Sequence, residues 1–249
     1  MGSQLVDLAK PGFVLEPADK DFQTGRCRAG GDIAFLEQGT PWPQDQQGRP
    51  LSVLAVLDTN ELAPWLGDEL PTRLGLVNIF ALHPEHRAAD DCQIVTADPA
   101  RAVGTPSPPA APAFNDHVLL GADPIVTLPA MSGDRGDPIL ETLDFRDEPG
   151  YDTDSPYTPD HIRFVMEPFG GAWEAYCEEA FGFQLGEAQA FGWPHIHQGI
   201  SDRAKGYSHL ATISNLLWGG DGLTRVMVPT EALRTGKFTN VEHESDSHY

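Results

Sequence analysis

The sequence predicts an α+β fold: two pseudo-repeats of antiparallel strands forming one body, with a few short flanking helices. Three observations carry that expectation. A late block runs Gly192-Trp193-Pro194-His195-Ile196-His197-Gln198-Gly199, then the apolar stretch Leu210-Ala211-Thr212-Ile213, then Leu217-Trp218-Gly219-Gly220-Asp221-Gly222-Leu223 and Arg225-Val226-Met227-Val228-Pro229. A shorter version stands near the front, with Gly30-Gly31, Trp42-Pro43, the apolar run Leu51 to Leu57 and Leu74 to Phe80. Two further stretches, Asn60 to Leu66 and Ala172 to Ala180, have helical composition. A repeat of roughly a hundred residues is too long for a solenoid unit and argues for two related halves sharing one body.

In chain order, the first 27 residues are mixed and polar, with Phe13, Val14 and Leu15 as apolar anchors of an opening strand or an ordered arm. Gly30-Gly31 precede the apolar Ile33-Ala34-Phe35-Leu36, and Thr40 to Asp45 reads as a turn-rich loop in which Pro41 and Pro43 stiffen the backbone around Trp42. Leu51 to Leu57 is continuous and apolar, the mark of a buried strand. Asn60 to Leu66 reads as a short helix ended near Gly67, Leu74 to Leu82 as the next strand, and Ile94-Val95 as its edge partner. From Asp98 to Ala113 the chain is rich in proline and alanine, which cannot supply ladder donors and predicts an extended surface crossing. A loop region, Met131 to Asp160, gathers acidic residues. Ala172 to Ala180 follows as an amphipathic helix with Trp173, Tyr176, Cys177 and Ala180 on the face toward the sheet. The expected organisation is a single domain over 1–249, with a front repeat at about 28–97, the crossing at about 98–113 and a rear repeat at about 185–249.

The charge is unusual: 37 acidic against 16 basic residues, a formal net charge of −21 over 249 residues. Such a field repels nucleic-acid phosphates and anionic lipid, so neither is an expected partner. Acidity speaks first to solubility, and next to attraction of a basic partner at a rate that falls with salt. The three cysteines, Cys27, Cys92 and Cys177, are far apart and odd in number, which suits reduced thiols in a cytoplasmic protein. Met1 to Lys10 has no basic segment followed by an apolar run, and no apolar stretch approaches the roughly eighteen residues of a membrane helix.

Tests for chemistry return little. His195 and His197, two apart, point to the same side of an extended segment as two ligands of one metal would, with His209, Asp221 or His243 as a third. No clustered third ligand accompanies them, and neither metal nor cofactor is expected. Asp152-Thr153-Asp154 opens like a calcium loop, but Tyr157 stands where glycine is needed and Arg163 where the bidentate glutamate belongs. A Gly-x-Ser-x-Gly elbow is absent, Gly236-Lys237 is followed by Phe238 and so makes no phosphate loop, and Gly219, Gly220 and Gly222 do not form a dinucleotide fingerprint. Trp218-Gly219-Gly220-Asp221-Gly222 reads as a tight turn between strands Leu210 to Ile213 and Leu223 to Val228, with a small-molecule or partner site around Trp218 and Asp221 as the alternative.

The two blocks, in this order and spacing, resemble the YwqG-like family of bacterial proteins, from about Gly30 to Tyr249, with Pro99 to Leu185 the weakest stretch. The chain departs from the family pattern at three places: it has Leu54-Ala55-Val56 where members often read Leu-Ala-Gln, an extra glycine in Trp218-Gly219-Gly220-Asp221, and no glutamine in Leu210 to Ser214. The resemblance implies an α+β protein of largely undefined function, with some relatives that look like immunity proteins beside secreted toxins. It also implies no metal at His195 and His197, whose counterparts are usually aromatic or aliphatic. The expectation is therefore a non-catalytic protein, immunity- or antitoxin-like, that neutralises a basic toxin domain through Asp144, Asp147, Asp152, Asp154, Trp218 and Asp221. The rival readings are a metal-dependent or dispersed-site hydrolase using His195, His197 and Asp221, and a structural or regulatory subunit of a bacterial assembly.

Overall fold

The computed structural model describes residues 9–67, 74–82, 92–111, 113, 116–127, 188–194, 206–214 and 223–246. In chain order these carry β1 (Lys10–Pro17), β2 (Arg28–Ala29), β3 (Ile33–Glu37), β4 (Ser52–Asp58), α1 (Thr59–Leu66), β5 (Leu76–Ala81), β6 (Cys92–Ala97) and β7 (Ala102–Pro106). They continue with β8 (Val118–Thr127), β9 (Ala188–Phe191), β10 (Tyr207–Ser214), β11 (Leu223–Pro229), α2 (Thr230–Thr235) and β12 (Glu242–Asp246). The expected α+β balance is corrected by this inventory: the protein is mostly β. Its two described helices, of eight and six residues, are short insertions made where a strand ends, too small to form a layer. α1 follows β4 without a gap, contains Pro64 and stops at Gly67, whose φ is 53°. α2 follows β11 in the same way and closes on left-handed Gly236, whose amide reaches the Ala232 carbonyl. The helix expected at Ala172 to Ala180 lies outside the described residues.

Ten strands form one antiparallel sheet in the order β12-β11-β10-β9-β1-β8-β2-β4-β5-β6, and β3 pairs β7 in a separate two-stranded ribbon. Of the two readings of the opening segment, the strand is the one observed: β1 lies mid-sheet, paired with β8 along its full length from Lys10↔Thr127 to Pro17↔Leu120 and with β9 on its other side. The sheet divides at the β1/β8 pair into a rear set of five strands, from β12 to β1, and a front set of five, from β8 to β6. Residues 102–106 of the proline-rich segment are β7, which can occupy a ribbon edge because an edge tolerates proline.

Registers match between the two sets. β2 pairs β4 through Ala29↔Ala55 and Arg28↔Val56, as β9 pairs β10 through Ala190↔Ala211 and Gln189↔Thr212. β4 meets β5 with a register shift between Val53 and Ala55, and β10 meets β11 with one between His209 and Ala211. The extra residue of each bulge is a leucine, Leu54 and Leu210, in the related strings Ser52-Val53-Leu54-Ala55 and Ser208-His209-Leu210-Ala211. After β2 the backbone turns left-handed at Gly30 and Gly31 (φ 63° and 85°), and at the end of β9 it does so at Phe191, the last strand residue, and Gly192 (φ 59° and 69°).

Each bulge sends two consecutive residues to the same face, so Leu54 with Ala55 and Leu210 with Ala211 join one core, along with Phe13, Leu15, Leu62, Ile79, Val226 and Leu233. That core runs through both sets and is covered in part by α1 and α2. The opposite face of the front set has its own core, where Val53, Val56, Leu76 and Phe80 meet Ala34 and Leu36 of the ribbon. Trp42 closes its end: the indole donates to the Leu51 carbonyl at 2.8 Å and stands edge-on to Phe80 at 5.2 Å.

Candidate functional site

The matched registers allow the two sets to be compared residue by residue, and on one face they differ in chemistry. In the front set, Asn78 is fully buried and spends its amide on the backbone. It accepts from the Phe35 N–H and donates to the Phe35 carbonyl, both at 2.8 Å, and donates to the Val95 carbonyl at 3.1 Å. Arg28 donates to the Ile33 carbonyl at 2.7 Å and lies over the Phe35 ring. Both side chains fasten the β3–β7 ribbon to the sheet.

In the rear set the positions of Arg28, Val53, Val56 and Asn78 are held by Gln189, His209, Thr212 and Arg225, all buried. His209 Nδ1 lies 3.0 Å from the Phe191 carbonyl and Nε2 lies 2.8 Å from Thr212 Oγ1. A carbonyl can only accept, so the proton sits on Nδ1 and the Thr212 hydroxyl donates to Nε2. Gln189 Nε2 donates to the Phe191 carbonyl at 3.2 Å and to the Trp193 carbonyl at 2.7 Å. Burial, with the Arg225 charge adding to it, lowers the His209 pKa to about 4 against the hydrogen bond to Phe191, so the ring is neutral near pH 7.

A second set of bonds fixes where β9 ends. Thr127 Oγ1 donates to the Lys10 carbonyl at 3.0 Å and accepts from the Trp193 amide at 2.7 Å, while Lys10 Nζ lies 4.2 Å from the Trp193 ring centroid. Gly192 is required there, since a Cβ would stand 2.4 Å from Thr127 Oγ1. The polar row therefore holds β9 and its left-handed exit at Phe191 and Gly192 in place.

His195, His197, Trp218 and Asp221 lie outside the described residues, as do Asp144, Asp147, Asp152 and Asp154. Of the third ligands considered for a metal, His209 has both ring nitrogens engaged within the fold, and His243 lies in edge strand β12 opposite Val226. Among the described residues no group of three His, Cys, Asp or Glu side chains could hold a metal. Cys27 and Cys92 are buried free thiols pushed up to about 12, chiefly by burial, and so are protonated and poor nucleophiles. No described helix is long and apolar enough to cross a membrane. Sequence reasoning missed Gln189, Thr212 and Arg225; the available signal was the repeat itself, which sets Val56 against Thr212 and Asn78 against Arg225.

Fold and site together define a mostly antiparallel β protein, with matched registers in its two sets of strands, whose buried polar groups hold its own frame. The chain belongs to DUF1963, a domain of unknown function, whose family matches residues 27–246. No curated protein matches it.

Proposed function

We propose that this is a non-catalytic protein-binding protein, immunity- or antitoxin-like, that neutralises a basic toxin domain through its acidic surface. The observation that carries the reading is the charge of −21. Among the described residues, Asp19, Asp21, Asp32, Asp116 and Asp123 are exposed with no cationic side chain in salt-bridge range, so the field they create is available to a partner. The resemblance to the YwqG-like family, with relatives that look like immunity proteins, supports the same reading. So does the inertness of the described thiols and of His209.

The acidic segment supplies the test. Changing Asp144, Asp147, Asp152 and Asp154 together to asparagine removes four negative charges without changing side-chain size. The variant is expected to associate with a co-purified basic partner several-fold more slowly at low salt, with a dissociation rate changed much less. An association rate equal to that of the wild type would count against this segment as the docking surface.

A further inference from the structure

The outer edge of β8 is left open beyond Ala122. β1 pairs one side of β8 from Leu120 to Thr127, but on the other side β2 pairs only Val118 and Leu119. The 24–27 loop carries that side a little further: Leu120 donates to the Cys27 carbonyl at 3.1 Å and accepts from the Thr24 amide at 3.0 Å, and the Ala122 amide donates to Thr24 Oγ1 at 2.9 Å. Among the described residues no backbone group pairs with this side after Ala122. Alternate residues of an antiparallel strand turn both backbone groups to the same side, so Pro124 and Val126 face outward with Leu120 and Ala122. Pro124 has no N–H to leave unpaired, which suits it to an edge. The carbonyls of Ala122 and Pro124 and both backbone groups of Val126 remain as an unfilled ladder.

The two faces beside this edge differ in chemistry. Leu120 and Ala122 lie toward the shared core, so Pro124 and Val126 continue that face, where α1 brings Trp65. The indole donates to the Ile125 carbonyl at 3.2 Å and yet stays 43% exposed, beside Val126 at 42%. Pro64 and Pro124 are exposed as well, so the apolar surface here is a patch and not a single side chain. The opposite face, that of Gly121 and Asp123, is acidic. Glu16 stands across from Gly121, and burial, followed by the Asp123 charge, raises its carboxyl pKa. Among the described residues no cationic side chain is within salt-bridge range of Glu16 or Asp123.

We propose that the edge of β8 over residues 122–126 receives an extended segment of a partner protein in which apolar residues alternate with lysine or arginine. The side chains of an added strand alternate between the two faces. The apolar set lies on Trp65 and Val126, and the basic set lies beside Asp123 and Glu16. A wholly apolar strand would cover the two carboxylates without pairing them, and an acidic one would be repelled by them. A second copy of this chain, at a net charge of −21, is disfavoured by the same repulsion. The inference rests on the reading of a basic partner and adds the form in which that partner is recognised.

The test uses the full chain at fixed physiological salt, titrated by calorimetry with the synthetic peptide acetyl-Lys-Val-Lys-Val-Lys-Val-Lys-amide. One saturable site is expected. A peptide of the same composition, with its lysines and valines in separate blocks, should bind roughly tenfold more weakly, because its charge is equal but its alternation is lost. The amides of alternate residues point to opposite sides of a strand, so N-methylating the valines or the lysines blocks one edge of the peptide or the other. One methylated series should lose binding and the other should keep it. Trp65→Ala should weaken the parent peptide about tenfold, with Tm measured to show that the variant is folded; the methylated peptides act on the wild-type chain and do not depend on that variant. No saturable binding, equal binding of the parent and block peptides, or equal effects of the two methylations would overturn the edge site. None of these results touches the basic-partner reading, which is decided by the association rate of the co-purified partner.

Discussion

Phe191 adopts φ 59°, a left-handed conformation that disfavours any residue with a β-carbon, while its counterpart in the front set is Gly30. The two side-chain donors that converge on the Phe191 carbonyl, from His209 and Gln189, offset that cost. His209 also gives the protein a pH dependence whose sign is fixed. Its folded pKa is lowered to about 4 from 6.5, so between those values the unfolded chain binds a proton that the folded chain refuses. The stability conferred by the neutral ring is complete above pH 6.5 and is lost as pH falls toward 4, by up to about 3 kcal/mol. Denaturant midpoints at pH 7.5 and 4.5, compared between wild type and His209→Gln, check this: the wild type should lose more than the variant. Asn78 supports a second expectation. Asn78→Ala removes three hydrogen bonds and leaves the Phe35 amide and carbonyl exposed to an apolar layer, which should cost about 2–4 kcal/mol. Hydrogen exchange at the Phe35 amide should accelerate with it. In sequence, His209 looked like a third metal ligand because histidines nearby suggested one; the reach of its ring to the Phe191 carbonyl depends on strand pairings that no local pattern announces.

The elements legible in the sequence were those whose burial both faces demand. β4 and β5 carry apolar runs long enough to stand alone as strands, β10 and β11 carry shorter ones around Leu210 to Ile213 and Val226 to Val228, and α1 carries its own stop at Gly67. The others are made by their neighbours. β12 is Glu242-His243-Glu244-Ser245-Asp246, without an apolar residue, and is a strand because β11 offers it an edge. β8 contains Gly121, Asp123 and Pro124 yet is the longest described strand, since β1 pairs with all but its first two residues. The helical share was overvalued for a related reason: the helical composition of Asn60 to Leu66 states that a helix can form, not that it forms a layer. Gly75 is an element-scale test of how tightly β5 enters the sheet. It stands at φ 71°, and a Cβ there would lie 2.3 Å from the Ala97 carbonyl oxygen. Gly75→Ala should therefore destabilise the protein by about 2–4 kcal/mol, read as a lowered Tm. An unchanged Tm would mean that β5 and β6 can separate at no cost.

At the scale of the molecule, one core crosses both sets of strands, so the two repeats share their apolar interior instead of each closing alone. The paired motifs were visible in the sequence. What they mean physically, matched bulges at Leu54 and Leu210 and one face closed by an apolar ribbon where the other carries a polar row, needed the registers. The charge excess was legible at once because it is a count, whereas its placement is a property of the folded surface. It leads to the central claim, that the acidic exterior is the working part of this protein. The most direct measurement is affinity purification of the chain from its native host at low ionic strength, followed by the association rate of the recovered partner across rising salt. The account predicts a basic protein whose association slows steeply as salt passes through the physiological range. A partner that binds at a rate indifferent to salt, or one that is itself acidic, would contradict it.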